Sequence, residues 1–381
     1  MEVDIEKRGG FMPRGRKAWI LGGGGAAEGL PQAVQIKEFW DAGERPDDIL
    51  LLSVGAFNGW NPADAIKIWE KEFRSPWDIC DFNPEIKNII EQVFQNIPRS
   101  PFHRHATYKD LFSDFKDQYR KLVQILHFMV RAGKSIPTLP IGQPPSPEDF
   151  TPFLKMFVEE ANKHQLNRVR SVFDPAPLVK KLRITIDLKK ALESGITLHI
   201  FTQSTAGDTV FIAGSTPDAD ALNRLQDSVQ IHSINSEEEL FRASLASAAL
   251  RPLFAPVKMN GGQYWDVGAI NPFPADYAFD IGCDEVYAFV KNFWSHKPNP
   301  DLDFYGASID ESDTSTQRHF FRQYKDARKR ATAEGRNLQM ILPQSLHADL
   351  DLLWISSEAI EYTKRVETEA TRKWLKENLD I

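Results

Sequence analysis

The most constraining feature of the sequence is a short apolar run, Ala18-Trp-Ile-Leu21, that opens directly into four glycines, Gly22 to Gly25. Apolar residues then recur at Ala33, Val34, Ile36, Phe39 and Trp40, and the pattern stops at Gly43. This spacing predicts a strand, a glycine turn and a helix over Pro31 to Ala42, with proline near the first helical turn and glycine at the end. After the turn formers Arg45-Pro-Asp-Asp48, the run Ile49-Leu-Leu-Leu52 predicts a second strand. It is apolar throughout, as a parallel sheet covered on both faces requires. Strand, helix and strand at this spacing make a βαβ unit, so the chain begins as an α/β protein.

Further along, apolar residues at three-and-four spacing predict helices over Ala63–Phe73, Pro84–Ile97, Tyr108–Ala132 and Pro152–Arg170. Between the last two, Pro137 to Pro147 is too proline-rich for a helix or a central strand. Residues 74–150 are therefore expected to form a helical insertion or lid. β-type residues return at Ile184–Asp187, Thr197–Thr202 and Thr209–Ala213, and Asp284–Val290 predicts one more buried strand after a helical stretch over Glu237–Leu250. The charged, amphipathic tail from Ser345 to Leu379 reads as a packed outer helix.

Composition excludes several classes. The chain has 381 residues, with 46 Lys+Arg against 53 Asp+Glu and a formal net charge of −7. With no Lys/Arg-rich block, this balance argues against nucleic acid as the main partner and against a polybasic membrane anchor. Two distant cysteines, Cys80 and Cys283, form no CxxC, so neither a disulfide framework nor a structural zinc site is indicated, and a reducing cytoplasm fits. Met1 to Leu21 lacks a signal-peptide core. No window reaches the ~18 apolar residues of a membrane span.

Three segments carry candidate chemistry. Gly22 to Gly25, between strand and helix, can aim bare backbone N–H groups at developing negative charge, with the helix dipole adding to them. The same segment reads as a tight turn, or as a dinucleotide site, since Gly22-x-Gly24-x-x-Ala27 satisfies a loose GxGxxA, with Asp41 or Asp47 as ribose ligand. Leu51-Leu-Ser53-Val-Gly55 places a serine at the end of a buried strand with glycine two residues on, which suits a nucleophile elbow and equally a helix cap. Trp265-Asp266-Val-Gly268, followed by Asn271-Pro-Phe-Pro274, puts an acid beside a glycine among turn formers; its plainer reading is an Asx turn.

Taken together and in this order, the three segments resemble the patatin-like phospholipase family. Leu21 through Ser53 to Asn58 is similar to its glycine loop, first helix and serine elbow, and Phe173–Ala213 to its middle strands. Ala243 to Val257, followed by Asp266-Val-Gly268 and Asn271-Pro, is similar to its segment leading into the catalytic acid. The resemblance covers about two-thirds of the chain and not the stretch from about Arg74 to Phe150. It implies a three-layer α/β fold with a mostly parallel central sheet and helices on both faces. The expected domain spans 15–381, with 74–150 as insertion and 1–14 as an N-terminal extension.

The activity implied is that of a lipid acyl hydrolase working through a Ser–Asp dyad and a seryl ester, without metal or cofactor. Ser53 would be the nucleophile and Asp266 the base. Gly23, Gly24 and Gly25 would form the oxyanion hole, and Gly55 and Gly268 would support the elbow and the acid loop. An aspartate of ordinary pKa is a weak base for a hydroxyl, so a dry pocket must raise its basicity; its apolar wall is expected from the helical insertion. The partner implied is a lipid or acyl ester, reached in the cytoplasm or by transient contact with a membrane surface.

Departures from the family pattern bear on that expectation. Leu51 stands where the elbow usually has its first glycine, and Val267 where the acid motif has a small residue that could adopt positive φ. Ala26 replaces a loop glycine in an ungapped register. Glu28 stands where a base is usual, and beside a substrate site it would repel an anionic head group. These four favour a rival reading, a catalytically weakened domain that binds lipid or protein. A Ser-His-Asp hydrolase using His296 or His347 is a second rival, and a nucleotide-binding oxidoreductase a third. His103 and His105 lack an acidic or thiol partner at ligand spacing and are assigned to a loop face. Phe128, Met129, Phe150, Phe153, Met156 and Phe157 read as core or as channel wall, and Lys325 to Arg330 as an exposed helix face.

Overall fold

The computed structural model describes residues 15–96, 107, 109, 122, 123, 125, 126, 151–164, 169–215, 219–225, 229–268, 270–294, 304–344, 347, 355–379 and 381. The predicted βαβ unit is present as β1 (Lys17–Leu21), α1 (Gly25–Asp41) and β2 (Asp48–Leu51). Helix α1 starts six residues earlier than its periodicity predicts, because Gly24 at φ 145° and Gly25 at φ 62° turn the chain straight into the first helical turn. Pro31 therefore lies inside the helix, where it removes one backbone bond, rather than at its start. Gly43, at φ 88°, ends it as expected.

The helices α2 (Gly55–Asn58), α3 (Ala65–Glu72), α4 (Pro84–Asn96), α5 (Thr151–Lys163), α6 (Ala176–Thr185) and α7 (Leu188–Leu192) follow, with β3 (Asp81–Phe82) and β4 (Phe173–Asp174) pairing between them. Ile184–Asp187, read from its β-type residues as a strand, instead finishes α6 and caps α7: among the described residues no strand pairs with it, and propensity alone does not make a sheet. Strands β5 (Thr197–Ser204) and β6 (Gly207–Ala213) form a hairpin. After these come α8 (Ala219–Leu225), β7 (Gln230–Ser233), α9 (Glu237–Ser247), β8 (Val257–Met259), β9 (Gly262–Trp265), α10 (Ala275–Asp280), β10 (Glu285–Phe289), α11 (Phe304–Glu334), β11 (Asn337–Ile341) and α12 (Ser357–Leu379).

The main sheet runs β11-β10-β1-β2-β5-β6-β7, with the β8–β9 hairpin attached to β5. Pairings from β11 through β5 are parallel, and β5 with β6 is antiparallel. The period of two along the central strands divides the interior. Trp19, Leu21, Ile49 and Leu51 point into a core covered by α1, α3, α4, α9 and α12, whereas Ala18, Ile20, Leu50 and Leu52 point into a second core covered by α10 and α11. The protein is thus a three-layer α/β fold with a mostly parallel sheet.

The tail behaves as its amphipathy predicts: α12 packs along α1, with Ala359, Ile360 and Leu375 buried and Trp374 stacked on Phe39. Lys325, Arg328 and Lys329 lie exposed on α11, as expected of the charged run. Strands β7, β8, β9 and β11 were not anticipated, being short and half-exposed; Asn260-Gly261, both at positive φ, is the hairpin signal that marks β8–β9. His103, His105, Phe128, Met129, Phe150 and His296 lie outside the described residues, as does most of 97–150. Among the described residues, no helix is long and apolar enough to cross a membrane.

Candidate active site

Because β1 and β2 are adjacent and parallel, the loops leaving their carboxyl ends meet side by side, the position where open α/β sheets bind ligands. The Leu52 amide extends the ladder to the Leu21 carbonyl at 3.0 Å, and the chain then reverses through Ser53, which sits at φ 52°. A left-handed conformation at a non-glycine residue is strained, and here it lifts the hydroxyl clear of the sheet, as a nucleophile elbow does. Helix α2 starts at once, with Gly55 N–H bonded to the Leu52 carbonyl at 2.9 Å. A β-carbon on Gly55 would lie 2.3 Å from the Leu21 carbonyl oxygen, so only glycine lets the elbow close on β1.

Leu51, at the place of the usual elbow glycine, needs no strained backbone: it is fully buried, and the room it takes is vacated by Gly59, at the end of α2. On the loop above β1, Gly22 N–H is spent on the Phe289 carbonyl at 3.0 Å, and Gln32 Nε2 ties both carbonyls, of Gly22 and Phe289, to α1. Gly23 packs directly on Ser53; a β-carbon there would come within 2.7 Å of the Ser53 β-carbon. Among the described residues the N–H groups of Gly23, Gly24 and Gly25 have no intramolecular acceptor, and they open at the amino end of α1 beside the serine.

Asp266 arrives from the other direction, at the end of β9, which pairs with β5 through Gln203 and Trp265. Its carboxylate accepts a hydrogen bond from the Gly268 amide at 2.7 Å, and the Ser53 hydroxyl lies near enough to stabilise its charged form. A β-carbon on Gly268 would stand 3.0 Å from the same carboxylate oxygen, so glycine there keeps the acid loop tight. Val267 needs no positive φ; its side chain is wholly buried in the second core and anchors the loop. Asn271 continues the fastening, donating to Asp208 at 3.3 Å and accepting from Gln323 at 2.9 Å. Burial pushes the Asp266 carboxyl up to about 6, with the Ser53 hydroxyl and the Gly268 amide pulling it back. The dry setting that a base for a hydroxyl requires is therefore present.

An apolar cavity with about 700 Å³ of free space, part of it open to solvent, starts at Ser53, Gly25 and Ala26. Its wall comes from α2, α3, α6 and the stretch after α9: Phe57, Trp69, Phe73, Leu182, Leu250 and Phe254. Of the segment expected to supply that wall, only Ile79 contributes among the described residues. Phe157 is fully buried in the core, Met156 is half-buried against it, and neither reaches the cavity.

Glu28 also stands elsewhere than its sequence position suggests. Two residues along α1 from Ala26, it turns away from the cavity, folds beneath Gly24 and is buried. Burial raises its carboxyl to about 7, opposed by the charge of Lys291 and reinforced by Glu367. The expected repulsion of an anionic head group is weakened, because the group is off the cavity wall and burial disfavours its charged form.

Of the histidines of the rival triad, only His347 lies among the described residues. His347 lies 4.0 Å from Glu358 and against Tyr362, on α12. His199, the histidine buried in the sheet, bonds Asp48 at 2.9 Å and Tyr277 at 3.0 Å. Among the described residues no imidazole acts on Asp266, which faces the Ser53 hydroxyl and the Gly268 amide. Asp41 closes α1 in a pair with Lys37, and Asp47 accepts from the Lys17 amide; both lie at the amino ends of the strands, far from the glycine loop that a dinucleotide would need.

One residue at the site carries no sequence signal of its own: Ser247, the last residue of α9, whose hydroxyl accepts from the Ser53 amide at 2.9 Å. Within Ala243–Val257 it resembles any small helix residue.

The family model for patatin-like phospholipase matches residues 20–279. No curated protein matches the sequence. Among solved structures, the crystal structure of VipD from Legionella pneumophila is similar at 14% identity and a TM-score of 0.40, over 96% of this chain and 67% of that one.

Proposed function

The chain belongs to the patatin-like phospholipase family, and from that membership we propose that it is a lipid acyl hydrolase that cleaves carboxylic esters through Ser53 and Asp266. The observation that carries the proposal is a serine hydroxyl on a strained elbow beside a buried carboxylate whose titration it influences, at the mouth of an apolar cavity. Asp266 takes the hydroxyl proton as Ser53 Oγ attacks the ester carbonyl carbon. The carbonyl oxygen becomes an oxyanion and is met by the free N–H groups of Gly23, Gly24 and Gly25. Collapse breaks the ester bond, the proton passes from Asp266 to the departing alkoxide, and the acyl chain remains on Ser53 with its tail in the cavity. Water, deprotonated by Asp266, then attacks the seryl ester, and the fatty acid leaves as the proton returns to Ser53.

In this reading residues 15–381 form one domain, with 74–150 as an insertion and 1–14 as an extension. The substrate is a lipid or acyl ester, reached in the cytoplasm or at a membrane surface, and no cofactor takes part. The weakened-domain alternative drew on Leu51, Val267, Ala26 and Glu28. Each of these has a place in the fold that leaves the serine hydroxyl beside the acid, which supports turnover over binding alone. The test is to incubate the protein and its Ser53→Ala and Asp266→Asn variants with a panel of acyl esters and a fluorophosphonate probe. Labelling and turnover that vanish with Ser53 and collapse with Asp266→Asn are expected. Equal weak activity in all three proteins would refute the proposal.

A further inference from the structure

The end of helix α9 touches both members of the proposed dyad. Ser247 is fully buried, and its hydroxyl makes two bonds at once: it accepts from the Ser53 amide at 2.9 Å and donates to the Phe201 carbonyl of β5 at 2.8 Å. Two residues on, the Ala249 carbonyl accepts from the Asp266 amide at 3.2 Å. Ala248 and Leu250, on either side of Ala249, line the cavity. One short stretch of backbone therefore spans the elbow, the acid and the cavity wall. The donation to Phe201 orients the hydroxyl so that a lone pair faces the Ser53 amide.

We infer that Ser247 is a positioning residue that holds Ser53 in its left-handed conformation and in register with Asp266. The inference rests on the dyad reading for its catalytic consequence and on geometry alone for its structural one. A buried amide without an acceptor is costly. At Ser53 the bond to Ser247 both satisfies the amide and fixes the backbone at φ 52°. It also removes the nucleophile's own amide from the set able to bind an oxyanion, leaving that task to the glycine loop. Ser244, three residues earlier on the same helix, is the natural control: it is equally buried and bonds Trp60 Nε1 at 2.9 Å and the Leu240 carbonyl at 3.0 Å, touching neither Ser53 nor Asp266.

The experiment compares the full chain with its Ser247→Ala, Ser247→Thr, Ser247→Cys and Ser244→Ala variants. It reads three quantities: the rate of fluorophosphonate labelling, deuterium uptake of the peptide containing Ser53, and the melting temperature. Ser247→Ala is expected to speed uptake at the Ser53 amide and to slow labelling by about 10–100-fold, the penalty of a slightly misplaced nucleophile. Ser247→Thr, which keeps the hydroxyl, should restore most of both. Ser247→Cys fills the same space with a poor acceptor and should behave as alanine does, which keeps the test decisive if the alanine variant folds badly. Ser244→Ala should lower the melting temperature with labelling unchanged. Wild-type labelling and uptake in Ser247→Ala, or equal losses in Ser247→Ala and Ser244→Ala, would overturn the inference. If the wild-type protein is not labelled at all, the hydrolase reading fails, and deuterium uptake alone decides whether Ser247 holds the elbow.

Discussion

Gly59 stands where any side chain would run into Leu51: a β-carbon there would lie 2.2 Å from Leu51 Cδ2. The bulky residue before the elbow is thus balanced by a missing side chain at the end of α2, and the pair should behave as a unit. Gly59→Ala is expected to cost about 1–3 kcal/mol by overpacking, and Leu51→Ala about 2–5 kcal/mol by leaving a cavity. The double variant should cost clearly less than the sum, because each change relieves the other. Urea unfolding of the four proteins measures the cycle, and strict additivity would show that the two sites do not share space.

The pH dependence of turnover follows from Asp266. Its carboxyl is pushed up to about 6 by burial, and it can accept the Ser53 proton only when ionised. In the free enzyme kcat/KM should therefore rise with pH through about 6 and level off above. An acid limb near the ordinary aspartate range would mean that the site is wetter than its burial indicates.

The same carboxylate should weaken the fold. A buried acid whose folded pKa lies above its unfolded one penalises the native state as pH rises from the unfolded value, ~3.9, to the folded one, and in full above about 6. Asp266→Asn keeps an acceptor for the Gly268 amide and removes the charge. It should stabilise the protein at pH 8 by up to about 3 kcal/mol, on the scale of ~1.4 kcal/mol per pKa unit, and much less near pH 4. Melting curves at the two pH values check this; a variant less stable at pH 8 contradicts it.

Gly23 offers a way to displace the nucleophile without touching it. A β-carbon at this position would lie 2.7 Å from the Ser53 β-carbon. Gly23→Ala should cut probe labelling by about 10²-fold, the usual consequence of a shift near 1 Å. The fold should survive, as read by circular dichroism. Labelling at the wild-type rate would show that the glycine loop yields instead.

At the opposite end of the sheet, Asp48 is buried among Arg16, His199 and the Cys283 thiol, which donates to it at 3.5 Å. Arg16 holds it at 2.6 and 2.8 Å, and His199 at 2.9 Å. Burial works to raise its carboxyl, and the bonds and charges of His199 and Arg16 outweigh it, so the group sits below the usual carboxylate range. The stability this supplies is present above the unfolded pKa, ~3.9, and is lost as pH falls through the folded one. Asp48→Asn should cost on the order of 3 kcal/mol at neutral pH and progressively less in acid, while the folded fraction still labels at Ser53. Chemical denaturation at two pH values, with labelling of the folded fraction, separates stability from chemistry.

What the sequence determined by itself is local. Apolar runs of four or five residues, a glycine cluster and a serine at a strand end depend on neighbours within a few positions, so β1, β2, the glycine loop and Ser53 could be read directly. Asp266 and Gly268 could be read because a turn and a glycine mark them. Tertiary structure alone decided which groups meet across long separations. Ser247 reaches Ser53 from 194 positions away, Gly59 makes room for Leu51, and Glu28 turns from the cavity because the helix sets its direction, not its place in the loop. The cavity wall likewise comes from α3, α6 and the stretch after α9. Burial and contact are properties of packing between layers, and no window of sequence carries them.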